Sequence, residues 1–334
     1  MRTIDWADEQ IVLLDQTLLP DEERLVRIDS VDRLIDAISR LVVRGAPALG
    51  AAGALGVLLI AHEAARRGWD EAAVADALKR LRDARPTAVN LARGVDRAAA
   101  RLRDGVAAVQ AEALDVLAED GRANRAIGEA GARLLAEVTG VDEVRVYTHC
   151  NAGALATVEW GTALGIVRAL FAHRRLGLVY AGETRPLLQG SRLTAWELTE
   201  LGADFRLVVD GAGAGLIAGG MVDAVVVGAD RITANGDVVN KVGTFPLALA
   251  AARRNVPFVV AAPESTVDAA TPSGDAVTIE LRSESEVLSF GGHAIAPGGA
   301  RAYNPAFDVT PADLVTAVVT DERVVRPAAG ERLV

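Results

Sequence analysis

The residues equipped for chemistry in this sequence stand beside apolar runs. Cys150 is the only cysteine. It follows the β-branched run VRVYTH (144–149) and precedes NAGALAT, which reads as the opening of a helix. A helix N-terminus holds anions through its free N–H groups and its dipole, and favours thiolate over thiol. A small buried core cysteine is the alternative. Asp230 closes the run AVVVGAD (224–230). A carboxylate there is drawn out of water, which suits a general acid or base; an ion pair with Arg231 or a helix cap would explain it equally well. In R-G-A-P (44–47), Arg44 offers a forked donor, Gly45 lets backbone approach a ligand closely, and Pro47 suits a first helical turn. That combination fits a phosphate, or an ordinary turn between helices.

Other patterns are weaker. GAGAGLIAGG (211–220) spaces its glycines G-x-G-x-G, not the G-x-G-x-x-G of a dinucleotide site. Anion-binding N–H groups or close helix–strand packing fit it better. His62, His149, His173 and His293 share no H-x-x-H spacing, so no metal site is expected. His149 could pair with Cys150, but neighbouring strand residues face opposite ways, which favours a packed histidine. No G-x-S-x-G elbow or Walker A sequence occurs, and no cofactor is called for.

Composition narrows the partners. The net charge is −10, aromatics are 4%, and no basic block occurs; nucleic-acid binding is not expected. Of 35 basic residues only Lys79 and Lys241 are lysines. A compact ammonium kept in so Arg-biased a chain is a flag for function, or a chance survivor. The sequence has 51% apolar and 24% charged residues, as a globular protein has. No uninterrupted apolar run reaches the roughly 18–20 residues of a membrane span, and the start, MRTIDWADEQ, lacks the basic and apolar regions of a signal peptide. The expectation is a cytoplasmic protein without membrane contact.

The elements that must position these side chains fall into two textures. A hairpin signal surrounds Pro20-Asp21 within residues 9–28, and from Val31 to about Val138 the apolar spacing is helical, punctuated by Gly68, Pro86 and Gly121. After Val141, apolar runs at 144–149, 176–182, 206–210, 224–230, 257–262 and 316–321 alternate with helical patterns, among them ALATVEWGTALGIVRALFAH. Apolar strands without polar alternation read as a buried parallel sheet. The expectation is an α/β protein: a mainly helical N-terminal domain with a short β-hairpin over 1–140, then a Rossmann-like, doubly wound parallel-sheet domain over 141–334. Residues 263–300 are the least regular stretch. Ligands bind beyond the carboxyl ends of such strands, where His149-Cys150-Asn151, Glu183-Thr184-Arg185, Asp210-Gly211, Asp230-Arg231 and Pro263-Glu264 fall.

Seven segments, VRGAPALGAAGALGV, RPTAVNL, THCNAGALAT, ETRPLLQGSRLTAWEL, GADRITANGDVVNKVGT, PFVVAAPEST and NPAFDVTP, resemble in their order those of the methylthioribose-1-phosphate isomerase family, kin to the regulatory subunits of the translation factor eIF2B. The resemblance implies a helical domain on a Rossmann-like one, a homodimer, and conversion of a 5-substituted ribose 1-phosphate to the ribulose 1-phosphate in methionine salvage. It implies Cys150 and Asp230 as catalytic residues. It also implies substrate contacts at Arg44, Gly45, Ala46, Arg85, Gln189, Asn240 and Lys241. The sequence departs from the family's usual residues at Gly182 and across Asp210–Gly215, next to strand ends, where a change should act on the 5-substituent. Isomerisation of 5-deoxyribose 1-phosphate or ribose 1,5-bisphosphate, and a non-catalytic eIF2B-like subunit, are the alternatives.

Overall fold

The computed structural model describes residues 2–85 and 89–334. The chain opens on a small antiparallel sheet of β1 (Ile4–Ala7), β2 (Gln10–Leu14) and β3 (Leu25–Ile28). β2 and β3 are the expected hairpin, with Ile11 opposite Ile28. β1 is an addition: it sets Ile4 opposite Leu13, and both are buried.

Helices α1 (Val31–Ser39), α2 (Ala46–Arg67), α3 (Glu71–Arg82), α4 (Val89–Ala99) and α5 (Val106–Thr139) follow. Three of these helix ends show their cause. The Asp70 carboxylate accepts from Ala73 N at the start of α3, and α2 stops at Gly68, whose φ is +65°. Val31 N, at the start of α1, donates to the buried Glu63 carboxylate of α2 at 3.0 Å. Gly121 does not break the helical run as expected; it lies inside α5, where a Cβ would meet the Glu159 side chain. Pro86 lies outside the described residues. The expectation about membrane spans also needs correcting. α2 is long and apolar enough to cross a bilayer, but 78% of its most apolar window is buried, packed against α4 and α5. An all-round apolar helix serves as the core of a helical layer as readily as a span.

From Val144 the pattern is strand–helix. In chain order come β4 (Val144–Thr148), α6 (Ala163–Ala172), β5 (Leu176–Gly182), α7 (Ala195–Leu201), β6 (Phe205–Val208), α8 (Gly213–Ala218) and β7 (Ala224–Val227). Then come β8 (Arg231–Thr233), β9 (Val238–Lys241), α9 (Thr244–Arg254), β10 (Phe258–Ala261) and β11 (Val267–Asp268). After α10 (Ser285–Leu288) come β12 (Ser289–Phe290), β13 (His293–Ala294), β14 (Phe307–Thr310), β15 (Ala317–Val319) and β16 (Val324–Val325). The large sheet has seven strands in the order β16-β15-β10-β7-β4-β5-β6. All neighbours are parallel except β15 and β16. Every residue of β7 and β10 is buried, as expected for strands covered on both faces. From β4 the chain winds outward one way through β5 and β6. It then returns to β4's other flank for β7, β10 and β15. The carboxyl ends of β4 and β7 therefore mark the topological switch point, the crevice where such sheets bind ligands. A second sheet, β11-β8-β9-β14, was not foreseen. It carries the ADRITANGDVVNK segment as a hairpin against β14, with Lys241 opposite Phe307.

One local expectation fails at an important place. No α-helix opens after Cys150. The chain makes a short 3-10 turn at Ala154–Ala156 and enters α6 only at Ala163. The backbone at Cys150 is left-handed, with φ +60°. The N–H groups of Ala154 and Leu155, which a helix would leave free for an anion, are taken by the Glu197 carboxylate at 2.8 and 3.1 Å.

Candidate active site

At the switch point a cavity is lined by residues from both textures of the chain. Cys150, two residues past β4, and Asp230, three past β7, both line it. So do Arg44, Gly45 and Ala46 at the start of α2, Arg85, Gln189, and Asn240 and Lys241 at the end of β9. All nine residues singled out from the sequence thus meet around one space. Glu183–Arg185 and Asp210 do not reach it. They bind each other, Asp210 accepting from Thr184 N and Arg185 N at 2.8 and 2.7 Å.

Arg44 is buried and its guanidinium is held in plane. Nε donates to Gln16 Oε1 at 3.2 Å, and one terminal nitrogen to the Asn151 carbonyl at 2.9 Å. The other terminal nitrogen donates to Asn151 Oδ1. A guanidinium has five N–H groups, so two remain for a ligand. Beside it Gly45, with φ +94°, starts the 22-residue helix α2 with no side-chain cap. Gly45 is needed for close approach: a Cβ would stand 2.6 Å from Ala156 Cα. The α2 N-terminus and Arg44 together form an anion site.

Lys241 is buried too. Its Nζ donates to the Ala306 carbonyl at 2.7 Å and lies 4.5 Å from the centre of the Phe307 ring. Burial pulls the basicity of Arg44 and of Lys241 down, and the charges of Cys150 and Asp230 act on both cations in the opposite sense. Thiol, carboxyl and the two cations line the one cavity. Burial pushes the Asp230 carboxyl above the usual carboxylate range, against the pull of Lys241, Arg85 and Arg44. Asp230 does not pair with Arg231, which binds Asp268 at 3.2 Å, and it precedes strand β8 rather than a helix, so neither the ion pair nor the helix cap accounts for it.

Gln189 is buried with its Oε1 unpartnered, an acceptor awaiting a donor at the cavity. Asn240 Nδ2 donates to Thr244 Oγ1 at 3.0 Å. His149 is buried but also lines the cavity beside Cys150, with Nδ1 unpartnered; Nε2 lies 2.8 Å from the Val242 carbonyl, so it carries the proton. Burial lowers its basicity.

The family departures need correcting. Gly182 and Asp210–Gly215 do not line the cavity; Gly182 and Gly213 pack against Tyr147 Oη, where a Cβ would stand 2.7 and 2.5 Å away. Within the glycine run 211–220, Gly213 alone serves close packing. Conversely, the cavity includes Arg282, Leu187 and Phe307, to which no role was assigned. Arg282 comes from the irregular 263–300 stretch, where no periodicity points to a site. It is tied to Glu286 at 2.6 Å and to Glu280 at 3.1 Å, and Glu280 also faces Arg85 at 3.9 Å.

Comparison with known proteins accords with this geometry. The model of the Initiation factor 2 subunit family matches residues 42–327. A protein of Nocardia farcinica, described as a probable bifunctional methylthioribose-1-phosphate isomerase/methylthioribulose-1-phosphate dehydratase, is 53% identical over 97% of this chain; the chain spans 60% of that relative's length. The methylthioribose-1-phosphate isomerase of Anaeromyxobacter sp. strain Fw109-5 is 50% identical over 96% of this chain and 93% of its own. The 5-deoxyribose 1-phosphate isomerase of Moorella thermoacetica is 47% identical over 97% of this chain and 94% of its own. The crystal structure of 5-methylthioribose 1-phosphate isomerase from Pyrococcus horikoshii superposes with a TM-score of 0.86 at 39% identity, covering 98% of this chain and 92% of that one. That of eIF-2B subunit delta from A. fulgidus gives 0.82 at 43%, covering 99% and 97%. By sequence from end to end and by fold, the chain belongs to the Initiation factor 2 subunit family.

Proposed function

We propose that this protein is an aldose–ketose isomerase of a sugar 1-phosphate, converting 5-methylthioribose 1-phosphate to 5-methylthioribulose 1-phosphate in methionine salvage. One observation carries the reading: a lone thiol and a half-buried carboxyl line one cavity at the switch point together with two buried cations, Arg44 and Lys241.

The substrate is a closed ring without a free aldehyde, so the C1–ring-oxygen bond must break first. Asp230, protonated, gives its proton to the ring oxygen as that bond cleaves. Cys150, as thiolate, takes the proton from C2. The O2 proton passes to Asp230, C2 becomes a carbonyl, and Cys150 returns its proton to C1. Each group ends as it began, and no hydrogen is gained or lost. Arg44, Arg85, Lys241 and the N–H groups of Gly45 and Ala46 hold the phosphate, with Asn240 fixing the Lys241 loop and Gln189 accepting from a sugar hydroxyl. Apolar walls strengthen each of these contacts by excluding water.

Leu41, Leu187 and Phe307 supply apolar lining, which suits a methylthio or methyl group at C5. Arg282 is bound to two carboxylates, so among the described residues the cavity offers no second cation cluster for a 5-phosphate. The protein acts as a cytoplasmic homodimer in this reading; the exposed Leu207 and Val209 at the sheet edge are what a partner would cover, and light scattering on the purified protein checks it.

The test is incubation with 5-methylthioribose 1-phosphate, 5-deoxyribose 1-phosphate and ribose 1,5-bisphosphate side by side, following ketose formation. The first should turn over fastest, and Cys150→Ser should abolish turnover. A Cys150→Ser protein with full activity refutes the assignment. No turnover of any sugar would favour the eIF2B-like binding role. Solvent deuterium at C1 of the product supports proton transfer, and its complete absence a direct hydride shift from C2.

A further inference from the structure

We propose that Glu197 is a positioning residue: its buried carboxylate holds the Cys150–Leu155 segment and, through Asn151, the Arg44 guanidinium, in register with each other. Its effect on substrate rests on the isomerase reading; its effect on the thiol and on phosphate does not.

Glu197 lies on α7, far from the cavity in sequence, and is 1% exposed. A carboxylate so enclosed must be fully satisfied by donors, and it is. Oε1 accepts from Asn151 Nδ2 at 2.9 Å and from Leu155 N at 3.1 Å. Oε2 accepts from Ala154 N at 2.8 Å and from Arg168 at 3.0 Å. The strand-end loop is wrapped around this one side chain so closely that a Cβ on Gly153 would strike it.

What Glu197 fixes is the hub of the cavity. Asn151 follows Cys150 directly, and with Nδ2 tied to Glu197 its Oδ1 and carbonyl face Arg44. The same Nδ2 reaches Thr194 Oγ1 at 3.2 Å, and Thr194 Oγ1 donates to the Cys150 carbonyl at 2.6 Å. Thiol backbone, asparagine and phosphate cation thus hang on one anion. All four partners of that anion are donors. An amide in its place must set its NH2 group against two of them, Asn151 and Leu155 or else Ala154 and Arg168, so the segment that carries Asn151 must shift and its hold on Arg44 loosen.

Cys150 is the only cysteine, so alkylation by iodoacetamide reports a single site. Wild type, Glu197→Gln and Glu197→Asp are compared below their melting midpoints. The readouts are alkylation rate against pH, protection of the thiol by inorganic phosphate, and KM and kcat. For Glu197→Gln, phosphate protection should weaken about tenfold, the alkylation profile should change, KM should rise and kcat should fall, each on the order of tenfold, as a displacement near an ångström entails. Glu197→Asp keeps the charge, shortens the reach, and should fall between. If both variants only melt earlier while phosphate protection, alkylation profile and KM stay within about twofold of wild type, the inference is overturned. If Glu197→Gln does not fold, Glu197→Asp decides on the same criteria. If wild type turns over no sugar phosphate, the isomerase reading fails and the thiol and phosphate measurements still decide this one.

Discussion

Two glycines, Gly45 before α2 and Gly215 inside α8, should answer alanine in opposite ways. Gly45 has φ +94°, and its Cβ would stand 2.6 and 2.7 Å from Ala156 Cα and Cβ. Ordinary contact begins near 3.4 Å, so α2 and the 154–156 turn must part by most of an ångström. Backbone is on both sides, and nothing flexible can yield instead. Overpacking of this kind costs about 1–3 kcal/mol, and the extended positive-φ conformation (ψ 139°), open to little but glycine, adds roughly 1–3 kcal/mol for a residue with a Cβ. At about 1.5 °C per kcal/mol for a chain of 334 residues, the midpoint should drop on the order of 3–9 °C. The parting also moves Arg44 away from Asn151, and a shift near 1 Å costs on the order of a hundredfold in rate. Gly215, in α8, is exposed and would meet nothing within 4 Å. Gly215→Ala should be neutral or raise stability by about 0.4–1 kcal/mol, with activity unchanged. Calorimetry and a ketose assay on both variants check the contrast. A Gly45→Ala protein with wild-type midpoint and kcat/KM would refute the geometry of the α2 entrance.

Three further outcomes are expected. Asp230→Asn should fold normally yet lose about 10²–10⁴-fold in kcat, the usual worth of a general acid–base group; ketose formation measures it, and a loss under tenfold counts against the role. Burial pushes the Asp120 carboxyl up to about 7; because this lies above the unfolded value, its stabilising contribution is full in acid and is lost as pH rises through about 7. Asp120→Asn should therefore gain on wild type in urea melts between about pH 5 and pH 8, and a constant difference across that range excludes the shift. Glu63→Ala strips the buried partner from Val31 N and should lower stability by about 1–3 kcal/mol, read from the urea midpoint.

The two-texture fold could be read from the sequence because hydrophobic period is local. Apolar strands of four to seven residues, helical spacing from Val31, and the stop at Gly68 all follow from neighbours along the chain. Part of the candidate site was legible for a related reason: Cys150 and Asp230 follow strand ends, where parallel sheets bind ligands whatever the sequence, and Arg44-Gly45 opens a helix with anion-binding residue types; Ala46, Arg85, Gln189 and Asn240 are marked only by the family resemblance. What local reading misjudged was decided by distant partners. NAGALAT has helical composition, but Glu197, more than forty residues on, takes its N–H groups and bends it into a turn. Gly121 looks like a break, but it admits the Glu159 side chain to an unbroken α5. Gly182 looks placed to shape the ligand and instead packs on Tyr147. Arg282 has no local signature, since only the return of β14 beside β9 brings its loop to the cavity. Periodicity is a property of a chain's own neighbours, whereas burial, pairing and cavity walls belong to whichever segments the topology brings together.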